Sequence, residues 1–260
     1  MWMLILEGLL IGTLLGLTGA GGGILAVPAL IASQGWNVTQ AAPVGLLAIT
    51  LSALIGSVEG LLKKIVRYRA ALWIALMSIP AAHYGVQWAN IISPTWLTVT
   101  FSLIMLWVAY RIFFKQDQIK GHALCQVNHQ TGRLIWNINT TVLLAIIGLI
   151  AGLLTGLLGV GGGFVIVPAL RKVTNLDMKS IVATSLMIIF LIGMISIVMH
   201  LLDGFDYPQS ITVSFVMACI GGMLFGRILI NKINMLWVQK IFATTVIAVA
   251  FYLIASVIMS

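Results

Sequence analysis

Charged residues are scarce in this sequence. Lys, Arg, Asp and Glu make up 8% of its 260 residues, whereas 61% are hydrophobic. A soluble domain has roughly 25% charged residues, so the composition excludes a soluble globular protein and indicates an integral membrane protein. Most of the 14 basic residues lie in short loops between apolar runs, where the positive-inside rule places them. We therefore interpret the net charge of +8 as membrane topology and expect no nucleic-acid partner.

Cysteine is also rare, and its two positions exclude a disulfide framework. Cys125 lies in a polar linker and Cys219 in an apolar run. His122, Cys125 and His129 in the linker match no zinc spacing, so we predict no metal site and no cofactor. The apolar runs lack deep carboxylates, Cys/His clusters and a nucleophile beside a base. These absences argue against a membrane enzyme and against a cation or metal carrier.

Long apolar runs recur along the chain. Lipid admits only helices or closed barrels, and barrel strands would give short alternating segments, so we predict an all-α polytopic membrane protein. The predicted spans are 38–62, 70–92 and 95–114 in the first half, and 180–202, 209–230 and 235–258 in the second.

A glycine-rich element occurs twice, once in each half of the chain, and the two copies align without a gap. Residues 18–23 read Thr-Gly-Ala-Gly-Gly-Gly and 158–163 read Leu-Gly-Val-Gly-Gly-Gly, and Pro-Ala-Leu follows each after four residues. Each copy breaks an apolar run, and the limb that follows it, such as 23–34, is too short to span. We therefore predict two repeats, 1–114 and 138–260, joined by a cytoplasmic linker at 115–137. Each repeat has one broken unit and three spans.

Charge placement predicts the orientation of the repeats. The basic loops all fall on one side of the membrane only if each broken unit is a helical hairpin that enters and leaves on the same side. These loops are at 63–69, 111–133, 171–179 and around Lys232. The repeats are then inverted and both termini lie outside. The alternative is one kinked span per half, which gives eight spans and parallel repeats. Inverted repeats with discontinuous helices indicate a secondary transporter with its site at the midplane.

The glycine breaks predict an anion site. We expect Pro28 and Pro168 in the first turn of each short limb, where a missing N–H is no loss. The amides at that end lack intrahelical partners and lie at the positive end of a helix dipole, as in anion-binding helix termini. The predicted substrate-binding residues are Thr18, Gly21, Gly22, Gly23, Ile24, Thr155, Gly161, Gly162, Gly163, Phe164, Thr184 and Ser185.

Several candidates have a structural alternative. The four hydroxyls can bond back to their own helices. Two glycine series have the spacing of small residues that pack membrane helices. His83 lies inside a predicted span, where ionisable groups are usually functional, so it is a candidate for proton coupling. Its alternative is a neutral histidine hydrogen-bonded between helices. The glycine series are Gly8, Gly12, Gly16 and their copies Gly148, Gly152 and Gly156.

The duplicated glycine element and a second motif resemble the TauE/SafE family of sulfite exporter-like membrane proteins. The second motif is Asp177-x-Lys179-x3-Ala183-Thr184-Ser185-Leu186. The resemblance covers nearly the whole chain. It implies a multi-pass permease of the bacterial or archaeal cytoplasmic membrane, linked to sulfite, sulfonates and related organic anions, without enzyme activity. The first half departs from the pattern, because residues 43–46 read Pro-Val-Gly-Leu and carry no hydroxyls.

We therefore expect an exporter of sulfite, a sulfonate or a related small anion. With the inside negative, each unit of anionic charge that leaves releases about 2.3 kcal/mol per 100 mV. A gated anion channel and a proton-coupled carrier that uses His83 are the alternatives. The expected partners are the anion and the lipid bilayer, and a homo-oligomer is left open.

Overall fold

The architecture is helical throughout the described part of the chain. The computed structural model describes residues 2–19, 21–114, 125, 136–202, 204, 207–229 and 235–259. These residues form ten helices and no strand, which confirms the all-α class. The helices are α1 (Trp2–Thr18), α2 (Gly21–Gln34), α3 (Val38–Leu62), α4 (Tyr68–Ile91), α5 (Pro94–Phe114), α6 (Ile138–Leu158), α7 (Gly163–Val173), α8 (Met178–Leu202), α9 (Gln209–Leu229) and α10 (Met235–Met259).

Six of the described helices are long and apolar enough to cross a membrane, so the protein is a multi-pass membrane protein. They are α3, α5, α6, α8, α9 and α10. We predicted a span at α4, which is long enough but carries Arg69, His83, Gln87 and Asn90. Helix α4 packs along the length of α6, which is one of the six. The span at α4 stays a prediction.

Helices α3 and α8 form the centre of the bundle. Their most apolar stretches are 72% and 67% buried, whereas those of the other four apolar helices are 33% to 44% buried. Such partly buried helices keep one apolar face for lipid, and this face accounts for the many exposed large hydrophobic side chains on the outside.

The first helix of each repeat packs on the other repeat through glycine. Gly8 lies against Ala218 and Gly16 against Gly226, so α1 runs parallel to α9 at close range. Helix α6, the copy of α1, runs parallel to α4 in the same way, with Gly148, Gly152 and Gly156 against the α4 backbone. The packing interpretation of both glycine series is therefore confirmed.

Helices α3 and α8, which occupy equivalent positions in the two repeats, cross in opposite directions. Thr50 lies against Gly193, and Gly60 lies against Ala183. The contacts therefore move toward the C-terminus of α3 as they move toward the N-terminus of α8. If a two-fold axis relates the two repeats, equivalent helices are antiparallel when the axis is perpendicular to them. They are parallel when the axis runs along them. The observed direction supports the inverted repeat, whose orientation in the bilayer stays a prediction.

The chain reverses at both glycine breaks. Gly22, just after the first break, lies against the carbonyl of Ile11 on α1. The equivalent residue of the second repeat, Gly162, lies against the carbonyl of Ala151 on α6, which is the equivalent of Ile11. A kinked span would carry these glycines away from the helix that precedes them. Each short helix therefore begins with the chain turned back onto the helix before it, and the return of both limbs to one side of the bilayer stays a prediction.

Candidate anion site at the two glycine breaks

The two glycine breaks lie in contact with each other. Gly23 packs directly against the backbone carbonyl of Val160, between the glycines of the second break. Ile49, in the middle of α3, is a close neighbour of both Gly23 and Gly161. The fold thus brings together two segments that lie in different halves of the sequence.

Each break also rests on the central helix of the other repeat. Gly19 lies against Val182 on α8, and its equivalent Gly159 lies against Ala42, the α3 equivalent of Val182. The Ser185 hydroxyl lies 3.0 Å from the Gly19 carbonyl oxygen, to which it donates, and 2.8 Å from that of Val182. Ser185 therefore ties the first break to α8.

The two breaks turn differently, although their sequences match. In the first, Gly19 has φ 72°, and α2 begins at Gly21. In the second, Gly159, Gly161 and Gly162 have φ between 62° and 74°, and α7 begins at Gly163. These left-handed conformations favour glycine. The expectation that the first limb begins at residue 23 was therefore wrong by two residues.

A side-chain cap explains the early start of α2. The Thr18 hydroxyl accepts a hydrogen bond from the Gly21 amide at 2.7 Å, which satisfies one of the N–H groups that a helix start leaves open. The second repeat has Leu158 at the equivalent position, and leucine has no acceptor. The cap therefore exists in one repeat only.

The second break has no side-chain cap for its backbone amides. The residue that precedes α7 is Gly162, which has no side chain to accept a hydrogen bond. Its carbonyl accepts from the amides of Val165 and Ile166, at 3.0 and 3.2 Å. The amides of Gly163 and Phe164 come before the first intrahelical bonds and have no acceptor within α7.

The prolines lie deeper in the short helices than predicted. Pro28 is the eighth residue of α2 and Pro168 the sixth residue of α7, so neither lies in the first turn. The expectation was wrong because the helices begin among the glycines. A proline inside a helix removes an N–H donor, so the carbonyls of Ile24 and Phe164 lose their usual helical partner.

The predicted hydroxyl ligands have protein partners. Thr18 and Thr155 each donate to the carbonyl four residues earlier, at 2.7 Å. Thr184 accepts from the backbone amide of Arg67 at 3.0 Å, whereas its neighbour Ser185 faces the first break. Thr18 and Ser185 thus help to hold the first turn, Thr155 bonds only within its own helix, and Thr184 holds the loop before α4.

All twelve predicted substrate-binding residues are buried. The most exposed of the side chains is Thr18 at 9%. A hydrophilic substrate cannot reach buried backbone without a rearrangement, so this conformation is closed on both sides of the breaks.

Comparison with known proteins identifies the family. The family model described as Sulfite exporter TauE/SafE matches residues 4–253, which is nearly the whole chain. The chain belongs to the TauE/SafE family. Residues 18–23, 158–163 and 177–186, which carried the resemblance, all lie inside the match. This membership, together with the apolar helices, makes the protein a membrane transporter of that family.

Curated relatives from bacteria carry matching descriptions. The chain is similar to the "Probable membrane transporter protein YunE" of Bacillus subtilis (strain 168), at 28% identity over 89% of this chain and 88% of the relative. It is also similar to a "Probable membrane transporter protein" of Xylella fastidiosa (strain 9a5c), at 29% identity over 95% of this chain and 92% of the relative. No solved structure matches the chain.

Sequence reasoning missed Arg67 in this TauE/SafE-family protein. Its backbone amide is fixed on Thr184, and its side-chain Nε is buried without a hydrogen-bond partner in the described part of the chain. In contrast, the nearly buried Arg227 pairs with Glu59 at 2.6 Å, and Glu59 also pairs with Lys63 at 2.5 Å. The sequence signalled only a basic loop at 63–69, because the contact with Thr184 spans 117 residues.

The structure does not bring His83 to the glycine breaks. Its side chain is exposed, and its Nε2 lies 3.0 Å from Nε2 of Gln87 on the same helix. The residues of α4 that face α6 at this level are Ala82 and Gly85. A coupling role for His83 stays a prediction that has no contact with the candidate site.

The linker residues that resembled metal ligands can be placed only in part. His122 and His129 lie outside the described residues. Cys125 is buried, and its amide donates to the Val173 carbonyl at 2.9 Å. Burial raises the pKa of the Cys125 thiol, which disfavours the thiolate form that binds metals. Across the described residues, no group of three metal-ligating side chains occurs.

Proposed function

We propose that this TauE/SafE-family protein exports a small anion, such as sulfite or a short sulfonate, through the contact between its two glycine breaks. The observation that carries the proposal is the pair of uncapped amides at Gly163 and Phe164, at the start of α7 and a few residues after Val160, whose carbonyl meets the first break at Gly23. The membrane would be the cytoplasmic membrane of a bacterium or archaeon, and no catalytic step is needed.

Backbone amides suit this task. They lie at the positive end of a helix, where they attract an anion, and they do not titrate, so binding would not need a proton. The left-handed turn at Gly161 and Gly162 has no side chains, so an anion can approach the backbone closely. Because Thr18 already occupies the Gly21 amide, we assign the main binding role to the second break.

Arg67 can supply the full charge that amides lack. It belongs to the basic loop at 63–69, and its backbone amide donates to Thr184. The next residue, Ser185, holds the first break. A guanidinium whose Nε has no partner is a ready donor for an oxyanion. We assign it the capture of the anion on the side that carries this loop.

The closed conformation favours a carrier over an open channel. Since all twelve candidate residues are buried, an anion would enter only after the central helices or hairpins move. Such movement gives alternating access around a fixed site, as in other inverted-repeat transporters. The membrane potential would drive the charged substrate outward without a coupling ion.

Flux measurements in proteoliposomes test the proposal. Radiolabelled sulfite, thiosulfate and isethionate are offered under an imposed potential of either sign, and counterflow is measured with unlabelled anion. We expect saturable uptake of at least one anion that reverses with the potential, together with counterflow. Absence of flux for all three anions, or flux that ignores the potential, contradicts electrogenic export. Potential-driven flux without counterflow indicates a channel.

A paired substitution tests the assigned charge. Arg67→Gln should raise the KM for the transported anion about tenfold or more, the range lost with one charge-assisted contact. Lys172→Gln removes an exposed charge from the C-terminal turn of α7, close to the predicted basic side, and should change KM less than twofold. Equal KM values for the two variants would remove Arg67 from the site.

A further inference from the structure

A groove lies at the N-terminal ends of α4 and α6, on the side of the molecule that carries the basic 63–69 loop. It has a volume of about 400 Å³ and opens widely to the outside of the bundle. It takes no part in the candidate anion site. Its lining residues are Arg69, Leu72, Trp73, Leu76 and Trp136.

Two tryptophans form a fixed wall of the groove. The rings of Trp73 and Trp136 meet edge to face, with centroids 6.4 Å apart and planes at 90°. The indole N–H of Trp73 donates to the Thr141 carbonyl at 3.1 Å, which holds the ring against α6. Tryptophan prefers the level of the lipid headgroups, so the pair places the groove at the membrane interface.

The outer end of the groove is positive. Arg69 is exposed, lies in the first turn of α4 and makes no ion pair within the described residues. The parallel helices α4 and α6 both begin here, so both present the positive end of their dipole. None of the lining residues is acidic.

The inner end of the groove is aliphatic. Leu72 and Leu76 are 51% and 53% exposed and follow Arg69 along one face of α4. Leu76 lies seven positions after Arg69, which corresponds to about 10 Å along a helix. The groove thus passes from a cation through aromatic rings to aliphatic side chains, in the order of the parts of a phospholipid.

We propose that this groove binds one anionic phospholipid, with its phosphate at Arg69 and an acyl chain along Leu72 and Leu76. Basic pockets between membrane helices bind anionic headgroups by charge complementarity. A free inorganic anion would leave the aliphatic end unused. A choline headgroup could meet the tryptophan rings, but it would face Arg69 with a like charge.

The test measures lipid binding to the purified full chain. Phosphatidylglycerol and phosphatidylcholine with identical acyl chains are added in detergent, and binding is followed by native mass spectrometry and by the shift in Tm. We expect phosphatidylglycerol to bind wild type at least fivefold more tightly than phosphatidylcholine, the scale of one basic residue at a lipid surface. Equal binding of the two lipids overturns the proposal and indicates lipid without headgroup selection.

Variants locate the site. Arg69→Gln should weaken phosphatidylglycerol binding about fivefold, and Arg69→Lys should keep most of it. Trp136→Leu should weaken the binding of both lipids. Lys172→Gln, an exposed basic residue of α7 outside the groove, should change binding less than twofold. The Tm without lipid reports folding. If Arg69→Gln binds phosphatidylglycerol as tightly as Lys172→Gln does, the groove is not the site.

Discussion

The hydrogen bond from the Gly21 amide to the Thr18 hydroxyl, 2.7 Å long, makes a quantitative prediction. Thr18→Val keeps the shape of the side chain but removes the acceptor, so a buried N–H loses its partner. Such a loss costs about 1–3 kcal/mol. We expect the lower half of this range, because hydrogen bonds between membrane helices contribute about 0.6 kcal/mol on average, with a maximum near 1.7.

Thr155→Val is the matched control. Thr155 is also a buried threonine on the first limb of a hairpin, but its hydroxyl only donates to the carbonyl of Ala151, four residues earlier. Removing such a back-bond leaves no donor unpaired, so we expect a change below about 0.5 kcal/mol. Thr18→Ser, which keeps the hydroxyl, should restore most of the stability.

Reversible unfolding in mixed micelles measures these differences. The protein is titrated with sodium dodecyl sulfate, and the free energy of unfolding is obtained from helical circular dichroism and tryptophan fluorescence. We expect Thr18→Val to lose about 0.5–2 kcal/mol more than Thr155→Val. Equal losses in the two variants would show that the Thr18 cap does not stabilise the first break, and the physical account of its early helix start would be wrong.

Three further predictions use matched positions. Gly162→Ala and Gly35→Ala both place a side chain at positive φ, at a cost of about 1–2 kcal/mol, but only at Gly162 would the Cβ lie 2.8 Å from a carbonyl oxygen. Thermal unfolding should therefore show the larger loss for Gly162→Ala. Gly12→Ala should lower Tm because its Cβ would overlap the α9 backbone, whereas Gly221→Ala gains an ordinary contact and should keep or raise Tm. Gly35→Cys and Asn175→Cys place cysteines at exposed positions, which should react with an impermeant reagent from opposite sides of the membrane. Labelling of both from the same side would contradict the inverted orientation of the repeats.

The sequence predicted the helices because their boundaries are chemically sharp. The run at 38–62 begins after Asn37 and ends before Lys63, where apolar residues give way to polar and charged ones, and α3 has the same bounds. The hairpins followed from charge placement, because only a reversal puts the basic loops on one side. Both inferences rest on which residues are stable in lipid and which in water. This preference depends little on the contacts that each side chain makes in the fold.

Differences between the repeats depended on side-chain contacts that the sequence does not display. Matching glycines suggested matching turns. However, Thr18 caps the first break, whereas the equivalent Leu158 cannot cap the second, and α2 begins two residues earlier than predicted. The contact between Arg67 and Thr184 joins residues 117 positions apart. Such pairs arise from packing, so periodicity and spacing could not place them.

The asymmetric motif at the start of α8 fastens two other segments to this end of the central helix. Its two hydroxyls hold different segments, Thr184 the loop before α4 through Arg67, and Ser185 the first break through Gly19. Each such bond contributes about 0.5–1.5 kcal/mol, so together they stabilise these contacts by about 1–3 kcal/mol. The equivalent residues on α3 are valine and glycine, which cannot make these bonds. The two repeats therefore differ in how firmly these segments are held, and the proposed carrier would favour one closed side when it is empty.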